Sequence, residues 1–186
     1  NRAGNGGFLV FMRVDLVVQS NHARLFLGFQ ADPNTILSGL SGGVRQLPSG
    51  ATDTFYLGKD TCDSPTNGDL YACSNDGTGS ATCTDTGVPL NVDRADCADG
   101  LIASHSGVAN PHSVYDIWFF SPGNAGPISW AVTDVGSGAH GQGQMTGDLP
   151  QADALMGWQL YASNGWDAGA SSTKIYLSDL CIAGNW

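Results

Sequence analysis

Asp85-Thr86-Gly87 is the tripeptide of the aspartic proteases, in which two Asp carboxylates share a proton because like charges so close cannot both ionise. Here it follows Cys83-Thr84 in a polar stretch rather than a buried apolar strand, and it occurs once, so it reads as a turn. A nucleophile, a His and an orienting acid are available in His105-Ser106, His112-Ser113 and Asp116. The same residues serve equally as polar turn and strand-start groups. A glycosidase ordinarily places two carboxylates across the scissile bond. All 17 acidic residues are Asp and there is no Glu, so the Glu pair usual in lectin-like sandwiches does not exist in this chain. The chemistry-bearing residues point to no hydrolytic turnover.

Ligand chemistry has more material. Asp60, Asp63, Asp69 and Asp76 lead a series of eight Asp residues between positions 60 and 100, hard oxygen donors suited to calcium. No EF-hand spacing accompanies them, and Asn67-Gly68-Asp69 and Asn75-Asp76-Gly77 are also ordinary turn sequences. Trp118, Trp130, Trp158, Trp166 and Trp186 could stack on the CH faces of sugars or pack a core. Trp130 alternates with Ile128 and Val132 and is expected to be buried. Trp166, in the turn with Asn164, Gly165 and Asp167, and the terminal Trp186 are the expected exposed pair. Asn164, Trp166 and Asp167 are therefore the candidate ligand-binding residues, with packing or a subunit contact as their competing use.

Five cysteines fall at 62, 73, 83, 97 and 181. Separations of 11, 10 and 14 residues are not zinc spacings, and disulfides in an oxidising, extracellular setting fit better. Two bridges from five cysteines allow about fifteen arrangements. Neighbour pairing, Cys62 with Cys73 and Cys83 with Cys97, is the simplest and leaves Cys181 unpaired.

The elements that must position these groups read as strands. The chain has 186 residues, 26 of them Gly, and Gly, Ser, Thr, Asn and Asp interrupt every stretch long enough for a helix of three turns. Gly7 to Val18 and Ala23 to Gln30 alternate apolar and polar residues across a turn at 19–22 and predict a hairpin. Val114 to Phe120 and Ile128 to Asp134, joined by a run of Pro, Gly, Asn and Ser, predict a second. Leu155 to Ser163 and Thr173 to Ile182, around Asn164-Gly165, predict a third. Asp60 to Gly100, rich in Asp and Cys with little apolar alternation, reads as a long insertion ordered by cross-links. The expected fold is a single all-β domain over 1–186, an antiparallel two-sheet sandwich or jelly roll.

With 7 Lys and Arg against 17 Asp, a net charge of −10 and a pI near 4.3, the chain offers no basic stripe to nucleic acid and is repelled by an anionic membrane. No apolar run approaches the roughly 20 residues that span a bilayer as a helix.

Several segments resemble, in order and spacing, a family of bacteriophage structural domains. Gly6-Gly7-Phe8-Leu9-Val10-Phe11-Met12-Arg13-Val14 is similar to the family's Gly-Gly-Phe strand with its inward or rim Arg, and Arg24-Leu25-Phe26-Leu27-Gly28-Phe29 to its Arg-x-Phe-Val-Gly-Leu strand. Tyr115 to Asn124, then Gly147-Asp148-Leu149-Pro150, then Asn164-Gly165 follow the family's turn, Asp-Leu-Pro corner and final turn. The resemblance covers about half of the chain. It implies a concanavalin A-like jelly roll on a virion surface, in a tail fibre or a capsid decoration. Its expected partners are other virion proteins, further copies of itself with a trimer favoured, and a host-surface glycan. It supplies no catalytic residue, and it implies strands upstream of Gly6. A secreted cellular lectin or carbohydrate-binding module is the alternative.

Overall fold

The computed structural model describes residues 6–18, 24–31, 52–59, 69–78, 81–90, 112–123, 126–151, 154–163 and 173–184. These hold ten strands and no helix: β1 (Phe8–Val18), β2 (Arg24–Gln30), β3 (Thr54–Lys59), β4 (Asp69–Asn75), β5 (Thr82–Pro89), β6 (His112–Ser121), β7 (Ile128–Asp134), β8 (His140–Met145), β9 (Gly157–Ser163) and β10 (Thr173–Gly184). Two antiparallel five-stranded sheets run in the orders β10-β1-β6-β7-β8 and β5-β4-β3-β2-β9, as the expected sandwich requires.

Alternation sets the inner faces. Val10, Met12, Val14 and Leu16 of β1 and Tyr115, Ile117 and Phe119 of β6 are buried, and they share one core with Leu25, Leu27 and Phe29 of β2 and Phe55 and Leu57 of β3. Phe55 anchors one end of that core. It stacks on Phe8 and Phe29 with centroids 5.3 and 5.1 Å away, and meets Phe119 edge-on at 5.3 Å. Both geometries suit the ring quadrupole.

The pairing departs from the expected hairpins in two places. Val114 to Phe120 and Ile128 to Asp134 do pair, as β6 and β7. However, β1 pairs with β10 and β6 while β2 pairs with β3 and β9, so the first two segments lie in opposite sheets. The third expected hairpin divides the same way, with β9 in one sheet and β10 in the other. A short polar connection serves a hairpin and a crossing between sheets equally well, and the core decides. Placing the apolar row of β1 over that of β2 buries both, whereas side by side they would still need a second layer.

The 60–100 stretch is also corrected. It contains β4 and β5, which are integral strands of the second sheet. Leu70, Ala72 and Val88 give that sheet its inner face there, and Thr86 Oγ1 donates to the Leu70 carbonyl at 2.7 Å. Asp69, Ser74 and Asn75 are buried as well, which hid the strand from a search for apolar alternation. At this side the sheets close on each other: a side chain on Gly141 of β8 would collide with the Thr86 carbonyl of β5.

Candidate functional site

The outer face of β1, β6, β7 and β8 is where the core-facing parity of each strand leaves its other side chains. On β6, Tyr115, Ile117 and Phe119 point inward, so Asp116, Trp118 and Phe120 point out. Trp118 is 42% and Phe120 48% exposed, unusually open for rings of that size. Phe11 of β1 lies opposite Trp118 in the ladder and braces it, with centroids 4.4 Å apart and planes tilted by 40°. Two places along, Arg13 donates to both carboxylate oxygens of Asp116, at 2.6 and 2.7 Å. That hydrogen bonding, then the Asp116 charge, and last the nearby Asp179 raise the pKa of Arg13 further above its ordinary value.

Beside Trp118 and Phe120 a cleft of about 420 Å³ opens over β7 and β8. Ser129, Ala131, Gln142 and Gln144 line it, with Trp130 and Gly143, which face each other across the two strands. A Cβ on Gly143 would come within 2.7 Å of the Trp130 ring, so glycine is what lets that ring, itself 95% buried, pack close to β8. Gln144 Nε2 donates to Ser129 Oγ at 3.3 Å, and Thr133 Oγ1 and His140 Nδ1 share a hydrogen bond of 2.9 Å farther along. The cleft thus combines flat apolar rings with amide and hydroxyl groups, all on regular strands.

The residues expected to bind ligand, Asn164, Trp166 and Asp167, lie outside the described residues, as do Asp60, Asp63, Cys62, Cys97, His105 and Trp186. Asp69 opens β4 and Asp76 follows its last residue, roughly 20 Å away at the rise of a strand, so these two cannot share one ion. Among the described residues no group of three His, Cys or Asp side chains is placed to hold a metal. Asp76 instead accepts from the backbone N–H and the hydroxyl of Thr78 at 2.8 and 2.6 Å, which holds its carboxyl below the usual carboxylate range.

Cys73 is bridged to Cys83, directly across the β4–β5 ladder. This corrects the neighbour pairing of Cys73 with Cys62 and Cys83 with Cys97. Two cysteines in register on adjacent strands are already within bonding reach, which separation along the chain does not reveal. Cys181 is free and exposed on β10, as expected.

Asp85-Thr86-Gly87 is a kink in β5, where Asp85 accepts from the Gly87 N–H at 2.8 Å and Gly87 takes φ +67°. Ser113 faces the interior while Asp116 faces out to Arg13, so that pair does not assemble into a triad. Gly39-Leu40-Ser41-Gly42-Gly43 has the spacing of a hydrolase nucleophile elbow and escaped the sequence reading. It lies outside the described residues.

Trp118 and Phe120 were the residues overlooked. Their signal was present: with Tyr115 and Ile117 assigned inward, the polar Asp116 marks the outward parity, and positions 118 and 120 share it. No protein-family model matches the chain, and no curated protein matches it.

Proposed function

We propose that this chain is a non-enzymatic adhesion domain of a virion surface, and that it holds a neutral host glycan in the cleft beside Trp118 and Phe120. The observation that carries the reading is the pair of half-exposed rings standing next to Ser129, Gln142 and Gln144. A sugar ring has one apolar CH face and a rim of hydroxyls, and it needs a stacking surface with amides and hydroxyls at the side. Regular strands hold those groups, so little ordering entropy is lost on binding. The net charge of −10 disfavours sialylated or sulfated ligands, which leaves neutral ones.

The virion setting rests on the ordered resemblance to phage structural domains. A secreted cellular lectin is the second reading, and the Cys73–Cys83 bridge suits its oxidising environment equally. Purified virus particles separate the two: the chain is found on them under the first reading and not under the second. Binding to a panel of neutral and anionic glycans tests the ligand class. Trp118→Ala is expected to weaken neutral-glycan binding at least tenfold, the effect of losing a stacking residue worth about 1.4 kcal/mol or more.

A further inference from the structure

The two sides of the sandwich are finished differently. At the β5–β8 side the sheets nearly touch through Gly141 and Thr86. At the other side β10 is, among the described residues, the last strand of its sheet, twelve residues long and exposed along most of its length. Leu177, Leu180 and Ile182 stand opposite Val14, Met12 and Val10 of β1, which are core-facing positions, yet they are 40, 39 and 40% exposed. Tyr176 on the outward face is 50% exposed. A long apolar edge strand that has β1 as its only neighbour among the described strands is a template for another strand.

We infer that β10 pairs antiparallel with β10 of a second copy about a two-fold axis at Tyr176, joining two five-stranded sheets into one of ten strands. The sequence of β10 selects this register. Lys174 and Asp179 face the same side of the sheet, since they stand opposite Val17 and Arg13 of β1, and the bulge at Ser178 restores their parity. With Tyr176 on the axis, Lys174 meets the partner's Asp179 twice over, Ile175 meets the partner's Leu177, and the two Tyr176 rings are neighbours. Centring on Leu177 sets Asp179 against Tyr176 and leaves Lys174 opposite a cysteine. Centring on Asp179 sets two carboxylates face to face, which is destabilising. The pairing of 175 to 177 lies before the bulge, where the strand is regular, and the extra residue Ser178 is what sets Asp179 rather than Ser178 opposite Lys174.

One consequence bears on adhesion. A two-fold axis perpendicular to the sheet keeps both outer faces on the same side, so both Trp118 clefts face one surface. The axis is three and a half strand spacings from β7, which puts the clefts about 35 Å apart at ~4.8 Å per strand. Two sites on one face turn weak single contacts into avidity. The pairing itself does not rest on the glycan reading.

Light scattering of the chain should return twice the 19.3 kDa chain mass; a single-chain mass or a trimer overturns the pairing. The register is tested in a Cys181→Ser background. Tyr176→Cys should close a covalent dimer under mild oxidation because directly opposed strand residues are within disulfide reach, while Leu180→Cys, roughly 20 Å from its copy, should not. Cross-linking at 180, or at neither position, overturns the register. Lys174→Asp should dissociate the dimer at least tenfold, and Lys174→Asp with Asp179→Lys should restore it; circular dichroism checks that each variant folds. Failure of restoration overturns the charge pairing, and dimerisation unaffected by Trp118→Ala keeps this test separate from that of the glycan site.

Discussion

Asp148 reaches from the loop after β8 to the turn between β4 and β5, accepting from the Thr82 N–H at 3.0 Å and its hydroxyl at 3.1 Å, while its other oxygen accepts from the Asp76 N–H at 3.2 Å. Asp148 holds φ +56°, a conformation Asp and Asn tolerate better than other side chains. The Asp-Leu-Pro corner is therefore a tie between the sheets. Asp148→Ala should lower the unfolding free energy by about 1–2 kcal/mol, at roughly 1 kcal/mol per hydrogen bond lost, and Asp148→Asn by less. Urea titration gives the order, and equal loss in the two variants would contradict the hydrogen-bonding account.

Asp76 carries a pH signature in the same corner. The Thr78 hydroxyl, then its N–H, lower the carboxyl below its value of 3.8 in an unfolded chain. A depressed carboxylate contributes stability that is fully present above the unfolded value and is lost as pH falls through the folded one. Urea midpoints should fall below about pH 4. Asp76→Asn should lose that contribution at neutral pH and flatten part of the fall, so that the variant and the parent converge in acid.

Phe55 is a buried core position in contact with three other aromatic rings. Phe55→Ala should cost about 3–5 kcal/mol, because the rings of Phe8, Phe29 and Phe119 cannot all collapse into the space left. Phe55→Leu should cost appreciably less, and chemical denaturation followed by circular dichroism measures both.

The strand segments were legible because apolar alternation in Val10 to Leu16, in Tyr115 to Phe119 and in Ile128 to Val132 is a property of the chain alone. Which strands pair was less so: β1 and β2 are neighbours in sequence, and only the packing of their apolar rows sends them to opposite sheets. β4 was hidden because its buried polar residues find partners only in the folded sheet. The cleft was half visible, since the parity of β6 exposes Trp118, but Gln142 and Gln144 come beside it only through the β7–β8 register.

The Cys73–Cys83 bridge closes a ten-residue separation at an exposed sheet edge. Reducing it, or replacing both residues with Ala, should lower stability by about 2–3 kcal/mol, the order expected for so short a loop. Non-reducing peptide mapping should recover the 73–83 linkage, and a 62–73 or 83–97 peptide would contradict the register of β4 and β5.

The most direct test of the central claim is a titration of neutral oligosaccharides followed by the indole signals of the protein, with assignment by Trp118→Phe and Trp118→Ala. The account predicts that a neutral glycan perturbs Trp118, that Trp118→Phe retains part of the affinity, and that Trp118→Ala loses at least tenfold while its circular dichroism stays that of the parent. Glycan binding that leaves the Trp118 signal unmoved, or no response to any neutral glycan, would contradict it.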